Sequence, residues 1–315
     1  MPALDPGDLV LLTDASGVTG AHIVSALASY GFRVRVASAS PDIPDLPSSV
    51  EVAPVGDWTV AGAYRAATTD VDGIVLPLGA TAFAESQVRA LLSTLPARLK
   101  RIVAISSTGA ISTAAGTHSS DEWNTAALEV HEWNEALKGV DTQIAQLAAV
   151  TRAEHVFWDH FRERRRYDPV SLATGEPLGP GLPGELERWM RPCPEDIETP
   201  YGNVLDVRDL AAYVVRALAI EEAGGERVVL SAGPLFGNDM ALAVHRFLKH
   251  PSLQRGNPDP DYRAALAERA CAFECRNVLR RDMRSLDVTL ADAVRSIIQR
   301  QHHAKRQQRA MTVGW

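Results

Sequence analysis

Apolar positions in this chain fall into short continuous runs, not alternating ones. Residues 9–13, 33–37, 50–55, 72–76 and 101–107 each read as such a run, and 169–173 and 227–231 add two more. Strands that are apolar on both faces belong to a parallel sheet covered on both sides. Between the runs, 21–30, 60–68, 80–95, 143–165 and 206–220 carry helical periodicity, and 238–308 reads as mostly helical. The intervening loops are Pro/Ser/Asp-rich at 41–49, small-residue at 108–120 and Gly/Pro-rich at 174–183, and 184–201 reads as irregular. Alternating strand and helix predicts an α/β fold with a doubly wound parallel sheet. Its core would span 1–173, with 204–232 returning to it. A smaller, mainly helical C-terminal lobe (174–203 and 233–315) would lie over the strand C-termini, where such sheets bind ligands.

The first unit carries the sharpest motif. The strand at 9–13 leads into Asp14-Ala-Ser-Gly-Val-Thr-Gly20, then a helix, Gly31 and the second strand. This order is the opening of a Rossmann-type dinucleotide-binding unit, in which the glycine turn aims helix N-terminal amides at a pyrophosphate. Thr13, Asp14, Ser16, Gly17, Val18 and Gly20 are its candidate cofactor contacts.

Composition narrows the function classes. The 315 residues suffice for one large α/β domain or a domain with an appended lobe. A net charge of −7 gives nucleic-acid binding no electrostatic support. Three cysteines suit a reducing compartment, not a disulfide scaffold. No signal peptide, transmembrane run or internal repeat is read, so the expectation is a cytoplasmic protein without a membrane partner, monomeric or homodimeric.

Further motifs follow in order: Gly56-Asp57, Asp72-Gly-Ile-Val, Arg101-Ile-Val-Ala-Ile-Ser-Ser107, Trp123-Asn124, Ala153-Glu154 with Trp158, Gly179-Pro180 and Asp206-Val-Arg-Asp209. With residues 13–20, in this order and spacing, the chain resembles the extended short-chain dehydrogenase/reductase superfamily. The branch it resembles holds dihydroflavonol reductases and fungal ketone and aldehyde reductases. The resemblance implies NADP(H), with Ser38, Asp57 and Leu76 as further cofactor contacts. It also implies a catalytic Ser, a Tyr that protonates the carbonyl oxygen, and a Lys four residues later that lowers the Tyr pKa.

The Ser maps to Ser107. Counting back from Ala153-Glu154 puts the Tyr at Gln146 and the Lys at Val150, and neither replaces its counterpart. No other tyrosine has a Lys four residues on. The first turn glycine is Asp14. Asp tolerates left-handed backbone, so the turn is expected to survive. Its carboxylate some 4 Å from a pyrophosphate would cost about 1–4 kcal/mol unless it turns away. After the second strand, Ala37-Ser-Ala-Ser40 offers neither an Arg for a 2′-phosphate nor an acidic residue for NAD; Ser38 and Ser40 could bond there only weakly.

By the same resemblance Glu176 takes a pocket-lining position that is usually apolar. A carboxyl there would have a raised pKa and could act as general acid or base; the alternative is that it turns to solvent or pairs with an Arg. Gln146 could donate to a carbonyl without losing a proton, or be a plain polar helix residue. Ser112, Trp123, Leu147, Val150 and Thr174 complete the expected substrate site. Leu76 and Leu78 make it apolar, so a hydrophobic small molecule is expected. His118, Asp121, Glu122 and His131 fall near the family's substrate entrance, as proton shuttles or as a solvated loop. Cys271 and Cys275 make a poor metal site, and 162–166 and 300–309 read as solvated charge runs.

The leading expectation is a reductase fold turned to non-redox work: cyclisation, isomerisation or dehydration, in secondary metabolism by family habit. Ser107, Gln146 and Glu176 would be the catalytic groups, with NADP(H) structural or absent. The alternatives are an NADPH-dependent ketone or aldehyde reductase with a substitute proton donor, and a non-catalytic NAD(P)-binding regulatory protein.

Overall fold

A computed structural model of the chain describes residues 3–40, 43, 46–79, 81, 83–129, 142–162, 167–182, 184–192 and 196–313. The strands are β1 (Leu9–Leu12), β2 (Arg33–Ser38), β3 (Glu51–Pro54), β4 (Gly73–Pro77), β5 (Arg101–Ser107), β6 (Gly116–His118), β7 (Asp168–Thr174), β8 (Glu176–Leu178), β9 (Pro200–Asp206), β10 (Arg227–Leu230), β11 (Pro234–Phe236) and β12 (Cys271–Phe273). The helices are α1 (Gly17–Tyr30), α2 (Ala84–Leu92), α3 (Thr125–Glu129), α4 (Thr142–Arg162), α5 (Leu186–Trp189), α6 (Val207–Ala219), α7 (Gly237–Phe247), α8 (Pro260–Glu268) and α9 (Leu286–Val313).

Seven strands form the expected doubly wound sheet, in the order β3-β2-β1-β4-β5-β7-β10 with every pairing parallel. The strand order reverses between β1 and β4, the switch point at which ligands bind such sheets. The unbroken apolar runs follow from burial on both faces. In β1, Leu9 and Leu11 pack with Ile74, Leu91 and Phe157 on the α2/α4 side. Val10 and Leu12 pack with Val24, Leu27 and Val214 on the α1/α6 side. α1 stops at Gly31, whose φ of +104° is a left-handed cap that a side chain would strain.

Arg101 opens β5 fully buried. Its Nε donates to Asp168 at 2.9 Å and its Nη1 to the Ala217 carbonyl at 2.9 Å, tying β5 to β7 and the end of α6. The lobe is built on a small sheet, β11-β9-β8, with α5, α7 and α9 packed round Leu178, Trp189, Val204, Met240 and Val294. Between β9 and β11 the chain returns to the core through α6 and β10. β6 and β12 form a separate parallel pair.

Several local expectations are corrected. Residues 60–68 form turns, not a helix, because Gly62 has a φ of +88° that no helix accommodates. The helix expected over 80–95 is confined to α2. The Gly/Pro-rich loop contains β8, the stretch read as irregular contains α5 and the start of β9, and 108–120 contains a short 3-10 turn and β6. Within 238–308, β11 has already ended and β12 interrupts the helices. Ala80, Arg165 and His131 lie outside the described residues. Among those described, no helix is long and apolar enough to cross a membrane, and no group of three or more His, Cys, Asp and Glu side chains could hold a metal ion.

Candidate active site

The turn from β1 into α1 sets one end of the site. Gly17 has a φ of +67°, and a Cβ on Gly20 would meet the Ala15 carbonyl carbon at 2.3 Å, so both positions require glycine. Asp14 does not adopt the left-handed backbone expected of it: among the described non-glycine residues only Asp70 and Arg280 have positive φ. Nor does its side chain turn out of the cradle. Its Oδ1 accepts the Ser16 N–H at 2.8 Å, an Asx turn that engages one of the amides preceding α1.

Asp14 lines two cavities. The smaller, about 240 Å³, lies against Thr13, Trp58, Tyr64, Leu76 and Leu78. Trp58 and Tyr64 meet edge to face there at 5.9 Å. Burial, and then the Asp14 charge, push the Tyr64 hydroxyl pKa well above its ordinary value. Neither aromatic was singled out in the sequence: Trp58 merely follows Gly56-Asp57, and Tyr64 lies in the misread turn segment.

The larger cavity, about 410 Å³, is the cleft proper. It brings together Ser107 from the end of β5, Gln146, Leu147 and Val150 from α4, and Thr174 and Glu176 from β7 and β8. Ser16 and Gly20 line it from the nucleotide end. Ser107 Oγ accepts the Gly109 N–H at 3.1 Å, which leaves its own proton to donate. Gln146 has no hydrogen-bond partner among the described residues, so its amide is available to a ligand. The same holds for the Glu176 carboxyl: no described Arg or Lys pairs with it. Glu176 is open to cleft solvent yet enclosed by protein, and burial pushes its pKa up. The Thr174 hydroxyl is committed to the Ser106 carbonyl at 3.1 Å.

Behind this wall lies a network that the sequence showed only as a counting landmark. Glu154, fully buried, accepts from Ser106 Oγ at 2.7 Å, from Ser171 Oγ, and from Arg227 Nε and Nη2 at 2.9 Å each. It fixes β5 at the residue preceding Ser107. Arg227 in turn covers the Trp123 ring at 3.9 Å. Trp123 is thus a structural stack, also touching His155, and does not line the cleft. Ser112 does not line it either; its hydroxyl lies on His118. Nor is His118 a free loop side chain.

The remaining cofactor candidates are satisfied locally. Ser38 Oγ accepts the Ser40 N–H at 3.1 Å. Asp57 accepts the Thr59 amide and hydroxyl at 2.9 and 2.6 Å, which hold its pKa down. Val18 lines neither cavity. The cation nearest in sequence, Arg35, is held by Glu51 at 2.7 Å and by the Thr69 carbonyl at 2.7 Å. The turn therefore fits the outline of a dinucleotide but not its charge: a carboxylate stands in the cradle and no lining residue of either cavity is cationic. A bound nicotinamide cofactor would supply hydride chemistry; the cleft's own residues present hydrogen-bonding groups and the carboxyls of Asp14 and Glu176.

No family model matches the chain. Among curated proteins, it is 26% identical over 298 residues to the NAD-dependent epimerase/dehydratase terH of Aspergillus terreus, covering 81% of this chain and 86% of that protein. It is 25% identical over 281 residues to an uncharacterised oxidoreductase of Schizosaccharomyces pombe, covering 76% and 82%. Among solved structures, Gre2 from Candida albicans aligns with a TM-score of 0.78 at 17% identity, over 93% of this chain and 99% of that one. Yeast Gre2 complexed with NADPH gives 0.76 at 17% identity, and alfalfa vestitone reductase 0.72 at 17%, with the same coverage. Together with the strand order and the glycine turn, these likenesses support the resemblance to the extended short-chain dehydrogenase/reductase superfamily, and the solved reductases share the fold of this chain.

Proposed function

We propose that the chain is an enzyme that carries out a non-redox conversion of an apolar small molecule in the Ser107–Gln146–Glu176 cleft: a cyclisation, isomerisation or dehydration. The observation that carries this reading is the pairing of Gln146 and Val150 on the cleft wall with an uncommitted Glu176 carboxyl facing the same space. Ser107 and Gln146 would bind a carbonyl or hydroxyl oxygen as neutral donors. Glu176, whose pKa burial pushes up, would pass a proton to or from the bound molecule. Leu78, Leu147 and Val150 would hold the apolar skeleton. Holding such a skeleton folded supplies much of the barrier lowering that an intramolecular reaction needs.

A second reading, an NADPH-dependent ketone or aldehyde reductase with Glu176 as substitute proton donor, draws on the reductases among the structural neighbours, one complexed with NADPH. Product mass separates the two. Purified protein is incubated with a panel of apolar hydroxy-ketones and polyketide-like carbonyl compounds, with and without NADPH. The non-redox reading expects products of unchanged mass or lacking one water, formed without cofactor and diminished in Glu176→Gln and Gln146→Ala. Products that gain two hydrogens only with NADPH would replace it with the reductase reading. Full activity in both variants would remove the site assignment.

A further inference from the structure

On the far side of the β5 turn, three side chains form a relay that the cleft does not use. Ser112 Oγ lies 3.1 Å from His118 Nε2, and His118 Nδ1 lies 2.8 Å from Glu122 Oε2. The other Glu122 oxygen accepts the Ser119 N–H at 2.8 Å, which fixes the carboxylate. The imidazole rests beside Phe273, ring centres 6.2 Å apart, and the parallel pairing of β6 with β12 anchors the strand that bears it. The Cys271 thiol donates to the Ser112 carbonyl at 3.4 Å.

The hydrogen-bond directions are those of an activated hydroxyl. Ser112 Oγ accepts the Ala114 N–H at 3.1 Å, so its own proton is left for His118 Nε2. Glu122 takes the Nδ1 proton of a neutral ring, which puts the lone pair at Nε2. Ser112 is half-buried and is followed by the exposed residues 113–117. Ser112 lines neither of the two cavities described above.

We propose that Ser112, His118 and Glu122 form a second, hydrolytic site that cleaves small acyl esters and thioesters. Ser112 Oγ bonds to the acyl carbon while His118 Nε2 takes its proton. The bond to the alcohol or thiol then breaks, and that group leaves with the proton. Water, deprotonated by the same nitrogen, attacks the acyl-serine; the carboxylic acid departs and the serine is restored. No cofactor enters the balance.

The relay has a competing state. The Ala114 carbonyl also lies 3.1 Å from Nε2, and a protonated ring donates to it. The Glu122 hydrogen bond pushes the His118 pKa up, favouring that ring. The groups facing the imidazole are Glu122, Ser112 and the Ala114 carbonyl from its own segment, and Phe273 from β12, with the Cys271 thiol beside them on the Ser112 carbonyl. The Cys271 thiol stays neutral, since burial pushes its pKa up to about 11. Hydrolysis should therefore rise with pH through the elevated His118 pKa.

The test is fluorophosphonate labelling of the full chain between about pH 6 and 9, mapped by peptide mass spectrometry, alongside hydrolysis of p-nitrophenyl acetate. The expected label is on Ser112, lost in Ser112→Ala. His118→Ala should lower hydrolysis by about 100-fold or more, with partial recovery in added imidazole, a rescue that a merely structural histidine would not show. Glu122→Gln should shift the rising limb of the pH profile downward. Labelling elsewhere, no labelling of a folded protein across the range, or unchanged hydrolysis in Ser112→Ala would each overturn the proposal. Should Ser112→Ala not fold, imidazole rescue of His118→Ala decides the question.

Discussion

Asp14→Asn removes one charge from the nucleotide cradle and leaves its geometry in place. The asparagine Oδ1 can still accept the Ser16 N–H that Asp14 accepts at 2.8 Å, so the Asx turn is kept. The backbone at this position carries no positive φ, so no strain changes. What changes is the interaction with a pyrophosphate charge brought to roughly 4 Å, worth about 1 kcal/mol in water-like surroundings and about 4 kcal/mol at an effective dielectric near 20. In affinity, that is about fivefold to several hundredfold. The assay is calorimetric titration of wild type and Asp14→Asn with NADPH, at low salt and again near 1 M, where the Debye length falls to about 3 Å. The variant should bind more tightly, by a ratio that shrinks in high salt. Affinities equal within about twofold at both salts, in two proteins of equal melting temperature, would refute the electrostatic account of the cradle.

Three further outcomes follow from the same geometry. Burial raises the Glu176 pKa in the folded state, so that state holds its proton to higher pH than the unfolded chain does. The carboxylate therefore costs stability as pH rises above its unfolded value of about 4.3; Glu176→Gln should melt higher than wild type at neutral pH, the difference closing near about pH 4. Truncating Arg227 to Ala leaves Glu154 buried without its ion pair, and denaturant unfolding should show a loss of about 3–5 kcal/mol. Gln146→Tyr with Val150→Lys, placed in Asp14→Asn, should gain about 10²–10⁴ in NADPH-dependent reduction of an activated ketone, read as absorbance loss, because it restores an acid and its charge partner.

The sheet was legible because its strands are buried on both faces, and a run such as Leu9–Leu12 admits few other readings. Short-range pattern failed where a single residue or a distant partner decided. Gly62 breaks the helical period of its neighbours by backbone conformation alone. β8 exists because Glu176, Pro177 and Leu178 pair with Val204, Leu205 and Asp206, a contact that a Gly/Pro-rich stretch does not announce. Ser107, Gln146 and Glu176 were singled out by the family resemblance, Gln146 by counting back from Ala153-Glu154, and all three line the cleft. Ser112 and Trp123 were misplaced by the same counting. A residue number fixes which loop a side chain occupies; the hydrogen bond between Ser112 and His118 and the Arg227 guanidinium over Trp123 decide where each one turns.

The losses at the cleft are chemically consistent with one another. A tyrosine without a neighbouring lysine would keep a pKa near 10 and protonate poorly at neutral pH, so replacing both together discards little that replacing one would have kept. Asp14 and Glu176, the two carboxyls that line the cleft, then divide the work by environment. Asp14 is engaged by a backbone amide at the nucleotide end, where its charge opposes a pyrophosphate. Glu176 has no described partner and an elevated pKa, on the wall it shares with Ser107 and Gln146. On the proposed reading, proton transfer falls to the substrate end of the cleft, and the nucleotide end contributes shape. On that reading, a reaction that needs a held apolar skeleton, two neutral donors and one adjustable proton draws on Ser107, Gln146 and Glu176 together, whereas hydride transfer would set the Asp14 charge against the cofactor.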